Sequence, residues 1–265
     1  MGNIFYESML PTHITPSVTF NYEATGLCGE NQAETTSGLT WMRNWSLILF
    51  MVYLVAASTE LEINPLRREV SAPGKFKFLV TGVGLVEGAI SLTKFLEREK
   101  ADGVILFGVG GAYTERGIGL LDVCLAEEER FGDSGIAMDD EIHYFTDEML
   151  TGRQDFDLRN SLSDQVESKL IALGMPFKKG PFVTVHACSG TLKRGNALRD
   201  KFNAICENME GAAMARVCEL YGVPMVELRC ISNMVEDRDT SKWKIKEAVA
   251  KGAGLLGRLL PELLR

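Results

Sequence analysis

Residues 207–244 read ENMEGAAMARVCELYGVPMVELRCISNMVEDRDTSKWK, and this stretch predicts two adjoining elements of secondary structure. Its first half predicts a helix over 209–221, because Gly222 supplies a favourable left-handed end. The apolar run 225–231 predicts a short strand that carries Arg229. A charged side chain on a buried strand is costly unless it is paired. The stretch therefore predicts a helix and a strand of an α/β domain, with Arg229 paired to a carboxylate.

Length and composition predict one α/β domain. At 265 residues the chain can bury a large single core, and its 46% hydrophobic and 24% charged content is ordinary for a soluble globular protein. The net charge of −8 argues against a nucleic-acid partner held through its phosphates. It leaves room for an anionic small molecule, which needs only local cations.

The cysteines predict no zinc site. No two of them have the Cys-x-x-Cys spacing, and the three histidines are scattered among them. We therefore expect free thiols, mostly buried, in a reducing cytoplasm, with no metal and no cofactor. The six are Cys28, Cys124, Cys188, Cys206, Cys218 and Cys230.

The first 45 residues differ from the rest of the chain. They hold Pro11, Pro16 and a polar run without a sustained period, so we expect a disordered extension at 1–45 and a folded domain at 46–265. The apolar run 47–57 resembles a secretory signal but is too short to cross a bilayer, which takes about 20 apolar residues. We expect it to form a buried parallel strand, and we expect no membrane partner.

Two glycine-rich turns follow predicted strands. The first, at 82–84, precedes a predicted helix over 85–97, but Glu87 stands where a dinucleotide fingerprint has its third glycine. A dinucleotide cofactor is therefore not expected. The second turn ends the predicted strand 103–112, where Gly110 lets the backbone approach a ligand at the carboxyl edge of the sheet.

The remaining segments are easier to assign. Residues 126–159 are acidic and predict a solvated, irregular insertion or flap, with His143 in a structural role. Residues 162–173 predict a helix, 180–186 a strand, and 246–264 an amphipathic closing helix.

Cys188 and His186 offer a nucleophile pair as an alternative chemistry. Residues two apart on a strand share a face, so the two side chains can meet. A third group that would orient the histidine is not evident in the sequence.

Residues 207–244 resemble the purine nucleoside phosphorylase and nucleosidase superfamily, and in particular its futalosine hydrolase branch. The matching residues are NMEG at 208–211, RCISN at 229–233, Arg238, Asp239 and Trp243. The resemblance implies a nucleoside phosphorylase-like α/β fold, with a mixed, partly barrel-like central sheet flanked by helices. It also implies a homodimer or larger homo-oligomer and a small-molecule nucleoside as substrate.

The same resemblance implies roles for individual residues. Glu62, in the turn after the first strand, is the candidate general base, and Glu60 is its rival. Glu210 and Met209 would hold the ribose, and Arg229 would lie beside the reacting sugar. The predicted catalytic residues are Glu62, Glu210, Arg229 and Asn233; the predicted substrate-binding residues are Gly84, Val109, Gly110, Met209, Ser232, Arg238 and Trp243.

The implied activity is hydrolysis of the N-glycosidic bond of futalosine, giving hypoxanthine and dehypoxanthinyl futalosine in a route to menaquinone. Phosphorylases of the superfamily carry a phosphate-binding hydroxyl residue where this chain has Val109, which favours water as the nucleophile. Asn233 can donate to a 6-oxo group, which favours hypoxanthine over adenine as leaving group. Arg238 is expected to meet the carboxylate on the aromatic 5′-group of futalosine.

Three alternatives stay open. A nucleosidase for methylthioadenosine, adenosylhomocysteine or aminodeoxyfutalosine would use the same kind of site. A purine nucleoside phosphorylase would need phosphate for turnover. A ligand-binding protein would bind a nucleoside without converting it.

Overall fold

Ten strands and six α-helices are formed by the part of the chain that the structure, a computed structural model, describes: residues 51–70, 74–138, 141–145 and 153–265. The strands are β1 Tyr53–Ala57, β2 Phe76–Val80, β3 Gly103–Tyr113, β4 Val123–Phe131, β5 Gly135–Met138, β6 Glu141–Tyr144, β7 Asp155–Asp157, β8 Lys178–Thr184, β9 Cys206–Asn208 and β10 Met225–Val235. The helices are α1 Glu60–Glu69, α2 Leu85–Leu96, α3 Ser161–Ala172, α4 Leu192–Phe202, α5 Gly211–Tyr221 and α6 Ile245–Glu262. The predicted extension at 1–45 lies outside the described residues.

Five of the strands close into a mixed barrel. Strand β3 pairs in parallel with β10 and antiparallel with β9. Strand β10 pairs antiparallel with β4, and β8 links β4 to β9 through two parallel pairings. Strands β1 and β2 extend the sheet outward from β3 in parallel. The predicted mixed, partly barrel-like sheet is therefore confirmed.

Strand β1 is part of the apolar run 47–57, which resembles a secretory signal but was expected to form a buried strand. All five residues of Tyr53–Ala57 are buried, because β1 lies between β2 and β3 and has helices on both faces. The predicted strand is confirmed for its described part, whereas residues 47–50 lie outside the described residues. Among the described helices, none has the length and apolarity to cross a membrane.

The helices cover the sheet from two sides. Helices α1, α3 and α6 pack into one apolar cluster with alternate residues of β1 and β3, such as Val55 and Ile105. Helices α2 and α5 pack against the opposite residues, such as Leu54 and Leu106, in a second cluster. The predicted helices at 85–97, 162–173 and 246–264 are confirmed within two residues at each end.

The acidic segment 126–159 forms strands in its described part, so the predicted irregular insertion is wrong there. Strand β4 continues through Phe131 inside the barrel, and β5 and β6 form a two-stranded hairpin in which His143 pairs with Ile136. The prediction of an irregular insertion was wrong there because Glu129 is fully buried while its neighbours Glu128 and Arg130 are only partly buried. Such an alternation inside a charged run looks like solvated surface. Helix α4 was also not predicted.

Residues 207–244 form the predicted helix and strand, but the helix begins later and the strand ends later than predicted. Helix α5 begins at Gly211, two residues later than predicted, and Glu210 is its N-cap. Strand β10 continues to Val235 because its second half pairs with β3 beyond a register irregularity between Ile231 and Asn233. This irregularity sets the direction of the polar side chains at the end of the strand.

Candidate active site

A cavity of about 290 Å³ opens where β1, β3 and β10 end. These parallel strands bring their carboxyl ends to one edge of the sheet, which is where open α/β sheets bind ligands. Ten of the eleven residues predicted for the site line it: Glu62, Val109, Gly110, Met209, Glu210, Arg229, Ser232, Asn233, Arg238 and Trp243. Gly84, the eleventh, stands just behind, where its N–H donates to Glu210 Oε1 at 2.9 Å.

Glu62 owes its place to a capping box at the start of α1. Thr59 is the N-cap, and its N–H and hydroxyl donate to Glu62 Oε2 at 3.0 and 2.8 Å. The N–H of Val109 donates to Glu62 Oε1 at 3.0 Å. Glu60 points to solvent, where it pairs with Arg67 at 2.9 Å. Of the two rivals, Glu62 alone lines the cavity.

Arg229 is the cation at the centre of the site, and its predicted pairing with a carboxylate is confirmed. The guanidinium is buried; its Nε donates to Glu227 Oε1 at 2.7 Å and its Nη2 to Glu210 Oε2 at 3.3 Å. Nη1 donates to the carbonyl of Val109 at 3.3 Å. Burial opposes the charge, but the carboxylates of Glu227 and Glu210 hold the pKa of Arg229 above its usual value. Arg229 therefore stays charged and fixed in one orientation.

Glu210 is held by the turn that opens α5. Asn208 Oδ1 accepts from the N–H groups of Glu210 and Gly211 at 3.0 and 2.8 Å, so the amide caps the turn. Arg229 and Gly84 fix the two carboxylate oxygens from either side. The result is an anion at a helix N-terminus, where the helix dipole favours negative charge.

Asn233 and Ser232 form the opposite wall. Ser232 Oγ lies 2.8 Å from Asn233 Oδ1 and 3.3 Å from the carbonyl of Gly110. Asn233 Nδ2 donates to the carbonyl of Met234 at 3.4 Å, a long bond that leaves the amide available to a ligand. Asn233 is half-buried and borders the cavity.

Arg238 and Trp243 form a platform at the outer end of the cavity. The guanidinium of Arg238 lies over the indole ring at 4.6 Å from its centroid, within cation–π range. A smaller cavity of about 60 Å³ adjoins this platform and shares Asn233 and Ser189 with the main cavity. Asp239 lines this smaller cavity and accepts from Ser241, so it caps the short 3₁₀ turn that leads to Trp243.

Sequence reasoning missed Glu207 as a site residue. Its carboxylate lines the cavity and accepts from the N–H and hydroxyl of Ser189 at 2.9 and 2.5 Å, and from the hydroxyl of Tyr113 at 3.2 Å. Burial and the neighbouring Glu207 raise the pKa of Tyr113 well above its ordinary value, so Tyr113 remains a donor. These bonds fasten the loop after β8 over the site. No spacing in the sequence points to this contact.

The Cys188–His186 alternative gains no support. The loop holds Cys188 at the cavity, where the surrounding protein, mainly by burial, raises the pKa of the thiol and disfavours a thiolate nucleophile. The backbone N–H of His186 donates to Asp133. Within the described residues, no cluster of three or more histidine, cysteine, aspartate or glutamate side chains could hold a metal ion.

Comparison with known proteins identifies the family to which this chain is similar. A sequence profile of the phosphorylase superfamily matches residues 75–265. The futalosine hydrolase of Thermus thermophilus is 36% identical over 187 residues, which is 71% of this chain and 82% of that protein. The futalosine hydrolase of Streptomyces coelicolor is 29% identical over 80% of this chain and 97% of its own length.

Related nucleosidases extend the comparison. A 5′-methylthioadenosine/S-adenosylhomocysteine nucleosidase of Bacillus thuringiensis is 27% identical over 70% of this chain and 80% of its own length. The crystal structure of the Helicobacter pylori enzyme of that name, in complex with a pyrrolidinol that carries an aminopyrrolopyrimidine, superposes with a TM-score of 0.70 at 18% identity, covering 80% of this chain and 99% of that one. A native futalosine hydrolase structure from the same organism also gives 0.70, at 17% identity, covering 81% and 99%. At such identities the two structures support the fold alone.

Proposed function

Because this chain belongs to the phosphorylase superfamily, we propose that it is a nucleosidase that hydrolyses the N-glycosidic bond of futalosine. Water adds to the anomeric carbon of the ribose while the bond to the purine nitrogen breaks. The products are hypoxanthine, which leaves with a proton, and dehypoxanthinyl futalosine. The two futalosine hydrolases named above support this substrate over other nucleosides.

The buried Glu62 carboxylate carries the proposal. Its two oxygens are fixed by Thr59 and Val109, and it lines the same cavity as Glu210 and Arg229. A carboxylate fixed in this way can accept a proton from an attacking water, as in glycoside hydrolysis.

The charges of the site suit a cationic transition state. Cleavage passes through an oxocarbenium-like sugar, which nearby carboxylates stabilise. Glu210 would accept hydrogen bonds from the ribose hydroxyls, and Met209 would pack against the sugar. Arg229 would hold Glu210 and the backbone of Val109 in place, because its contacts reach both. Asn233 would accept from the purine N7–H as the leaving base gains a proton.

Water is favoured over phosphate as the nucleophile. Among the described residues that line the cavity, the carboxylates of Glu62, Glu207 and Glu210 outnumber the two arginines. Arg229 is already paired with Glu227 and Glu210, and Arg238 lies on Trp243 at the outer end. A phosphate anion beside the sugar would thus meet a net negative wall.

We further propose a homo-oligomer, a dimer or larger, that works in the cytoplasm on the futalosine route to menaquinone. The support is the superfamily resemblance for assembly and the free cysteines for a reducing compartment. The names of the two bacterial relatives support the route.

One assay tests the proposed function. Purified protein is incubated with futalosine, inosine and methylthioadenosine, each with and without phosphate, and the released base and sugar are identified by chromatography. We expect hypoxanthine and dehypoxanthinyl futalosine from futalosine at equal rates in both buffers. A ribose 1-phosphate product would instead assign a phosphorylase, and faster release of adenine from methylthioadenosine would assign the alternative nucleosidase.

A further inference from the structure

Two glutamates without a role in the proposed reaction lie directly beneath the site. Glu129 on β4 and Glu227 on β10 are fully buried on adjacent strands of the barrel. A Cβ atom at Gly211 would overlap both Glu129 Oε1 and Glu227 Oε2, so these two oxygens lie side by side. Glycine at position 211 leaves the space that the pair occupies.

One carboxylate oxygen of the pair lacks a hydrogen-bond donor. Glu129 Oε2 accepts from the hydroxyl of Thr184 at 2.7 Å, and Glu129 Oε1 accepts from the side-chain amide of Asn208. Glu227 Oε1 accepts from Arg229 Nε, as described above. Within the described part of the chain, Glu227 Oε2 has no hydrogen-bond donor. A buried carboxylate oxygen without a donor carries a large desolvation cost.

A proton on Glu129 removes this cost. Protonated Glu129 Oε1 can donate to Glu227 Oε2 while still accepting from Asn208, because a carboxylic acid oxygen both donates and accepts. Burial raises the pKa of Glu129 well above its ordinary value, and the negative charge of Glu227 raises it further. Burial also raises the pKa of Glu227, but the charge and the hydrogen bond of Arg229 lower it. The proton therefore belongs on Glu129, and the charge on Glu227.

We propose that Glu129 and Glu227 form a carboxylic acid–carboxylate pair that shares one proton and acts as the positioning unit for Arg229 and Glu210. The positioning role rests on the proposed nucleosidase reaction; the shared proton does not. Ionised Glu227 holds Arg229, which reaches Glu210, and neutral Glu129 holds Asn208, which caps the turn that carries Glu210.

The pair also sets the charge beneath the reacting sugar. A bare guanidinium there would oppose the positive charge that develops in the transition state. Glu227 neutralises Arg229, so the arginine contributes hydrogen bonds and orientation without a net positive field. Because Glu129 is neutral, the pair places only one negative charge in the protein interior, and Arg229 compensates it.

Kinetics of two isosteric variants test the positioning role. Glu227→Gln removes the compensating charge, and we expect kcat on futalosine to fall by about 10²-fold, the effect of a small misplacement of catalytic groups, with KM changed little. Glu129→Gln preserves the neutral state and can still donate to Glu227, but its NH₂ cannot accept from the amide of Asn208. We therefore expect a partial loss of kcat, smaller than that of Glu227→Gln. Thermal unfolding confirms that both variants fold. A larger loss in Glu129→Gln than in Glu227→Gln, or equal activity in all three proteins, would overturn the assignment.

Infrared spectroscopy tests the shared proton directly. The measurement needs no substrate, and the variant need not be active. We expect wild-type protein at neutral pH to show the C=O stretch of a protonated carboxyl, and Glu129→Gln to lose it. If a variant fails to fold, the wild-type band alone decides, since it must persist well above the ordinary pKa of glutamate. Absence of the band overturns the proposal. A band in a protein that does not cleave futalosine contradicts the proposed function and leaves the shared proton intact.

Discussion

At the scale of single residues, the site depends on how each charge is held. Glu62 is an N-terminal helix residue whose capping bonds also fix it towards the cavity. The Thr-x-x-Glu spacing of a capping box is present at 59–62 in the sequence, and it distinguishes Glu62 from Glu60. Resemblance to the family's first turn does not by itself separate the two residues, because they differ by a small offset in that comparison.

Matched variants at these two positions test the assignment. Glu62→Gln removes the proposed general base, and we expect turnover of futalosine to fall by about 10²–10⁴-fold, the usual contribution of such a group. Glu60→Gln is the control, because Glu60 is exposed and pairs only at the surface with Arg67. Steady-state kinetics measure both. A crippled Glu60→Gln beside an active Glu62→Gln would reverse the assignment.

Asn233 provides a test of the preference for the leaving base. Its NH₂ can donate to the 6-oxo group of hypoxanthine but would face another donor on adenine. Mismatches of this kind can discriminate by about 10⁴-fold. We expect the parent protein to prefer futalosine over aminodeoxyfutalosine, and Asn233→Asp to shift the ratio of kcat/KM towards the adenine nucleoside. An unchanged ratio in the variant would remove Asn233 from this role.

Arg238 provides a test of the 5′-end of the substrate. It lies on Trp243 at the outer end of the cavity, where a carboxylate on the 5′-group could meet the guanidinium. Arg238→Ala should raise the KM for futalosine roughly ten- to hundredfold, the range of one charge-assisted bond. The KM for inosine, which lacks this carboxylate, serves as the control and should stay unchanged. Equal losses on both substrates would contradict the assignment.

At the scale of elements, the glycines of β3 allow residues of the candidate site to approach one another. A Cβ atom at Gly108 would lie 2.5 Å from Arg229 Nη1 and 3.0 Å from Glu62 Oε1, so the bare backbone lets these two groups meet across the strand. The glycines of β3 were predicted to permit approach of a ligand. At Gly108 they permit approach of the protein's own side chains instead.

Gly108→Ala should therefore lower kcat by displacing both groups, with no change of charge. A displacement of about 1 Å can cost about 10²-fold. Gly254→Ala on α6 is the control, because a Cβ there would meet nothing within 4 Å. Circular dichroism and kinetics on both variants give the comparison. Full activity in Gly108→Ala would show that the contact is less tight than described.

Contacts within one stretch of sequence could be predicted, whereas contacts between distant strands could not. The spacing within one stretch, such as that between Glu210 and Arg229, could be read from the sequence because a helix and a strand adjoin there. The contacts of Glu129 and Glu207 could not be read in this way, because they reach residues of other strands and arise only when the barrel closes. Local periodicity reports which face of an element is buried, and it contains no information on which distant element covers that face.

At the scale of the whole molecule, the buried acid links stability to pH. The folded protein keeps a proton on Glu129 that an unfolded glutamate releases above its ordinary pKa of about 4.3. The raised pKa means that this group stabilises the fold at low pH, and that its contribution is lost as pH rises from about 4.3 to the raised value.

The test compares how the free energy of unfolding depends on pH in the wild type and in Glu129→Gln. In that pH range the free energy of unfolding of the wild type should fall, relative to Glu129→Gln, by up to about 1.4 kcal/mol per pH unit. Denaturant unfolding at a series of pH values measures both proteins. Parallel curves would show that Glu129 takes up no proton on folding.

The closed barrel also fixes when, during synthesis, this protein becomes an enzyme. Val104 on β3 pairs with Met225 on β10, a partner that leaves the ribosome only after nearly half the chain has followed. Contacts so distant in sequence form late, because the intervening loop must be ordered first. The strand that closes the barrel is also the one that delivers Arg229 and Asn233. A nascent chain therefore carries Glu62 long before it can act on a nucleoside, and catalytic competence arrives together with the completed fold.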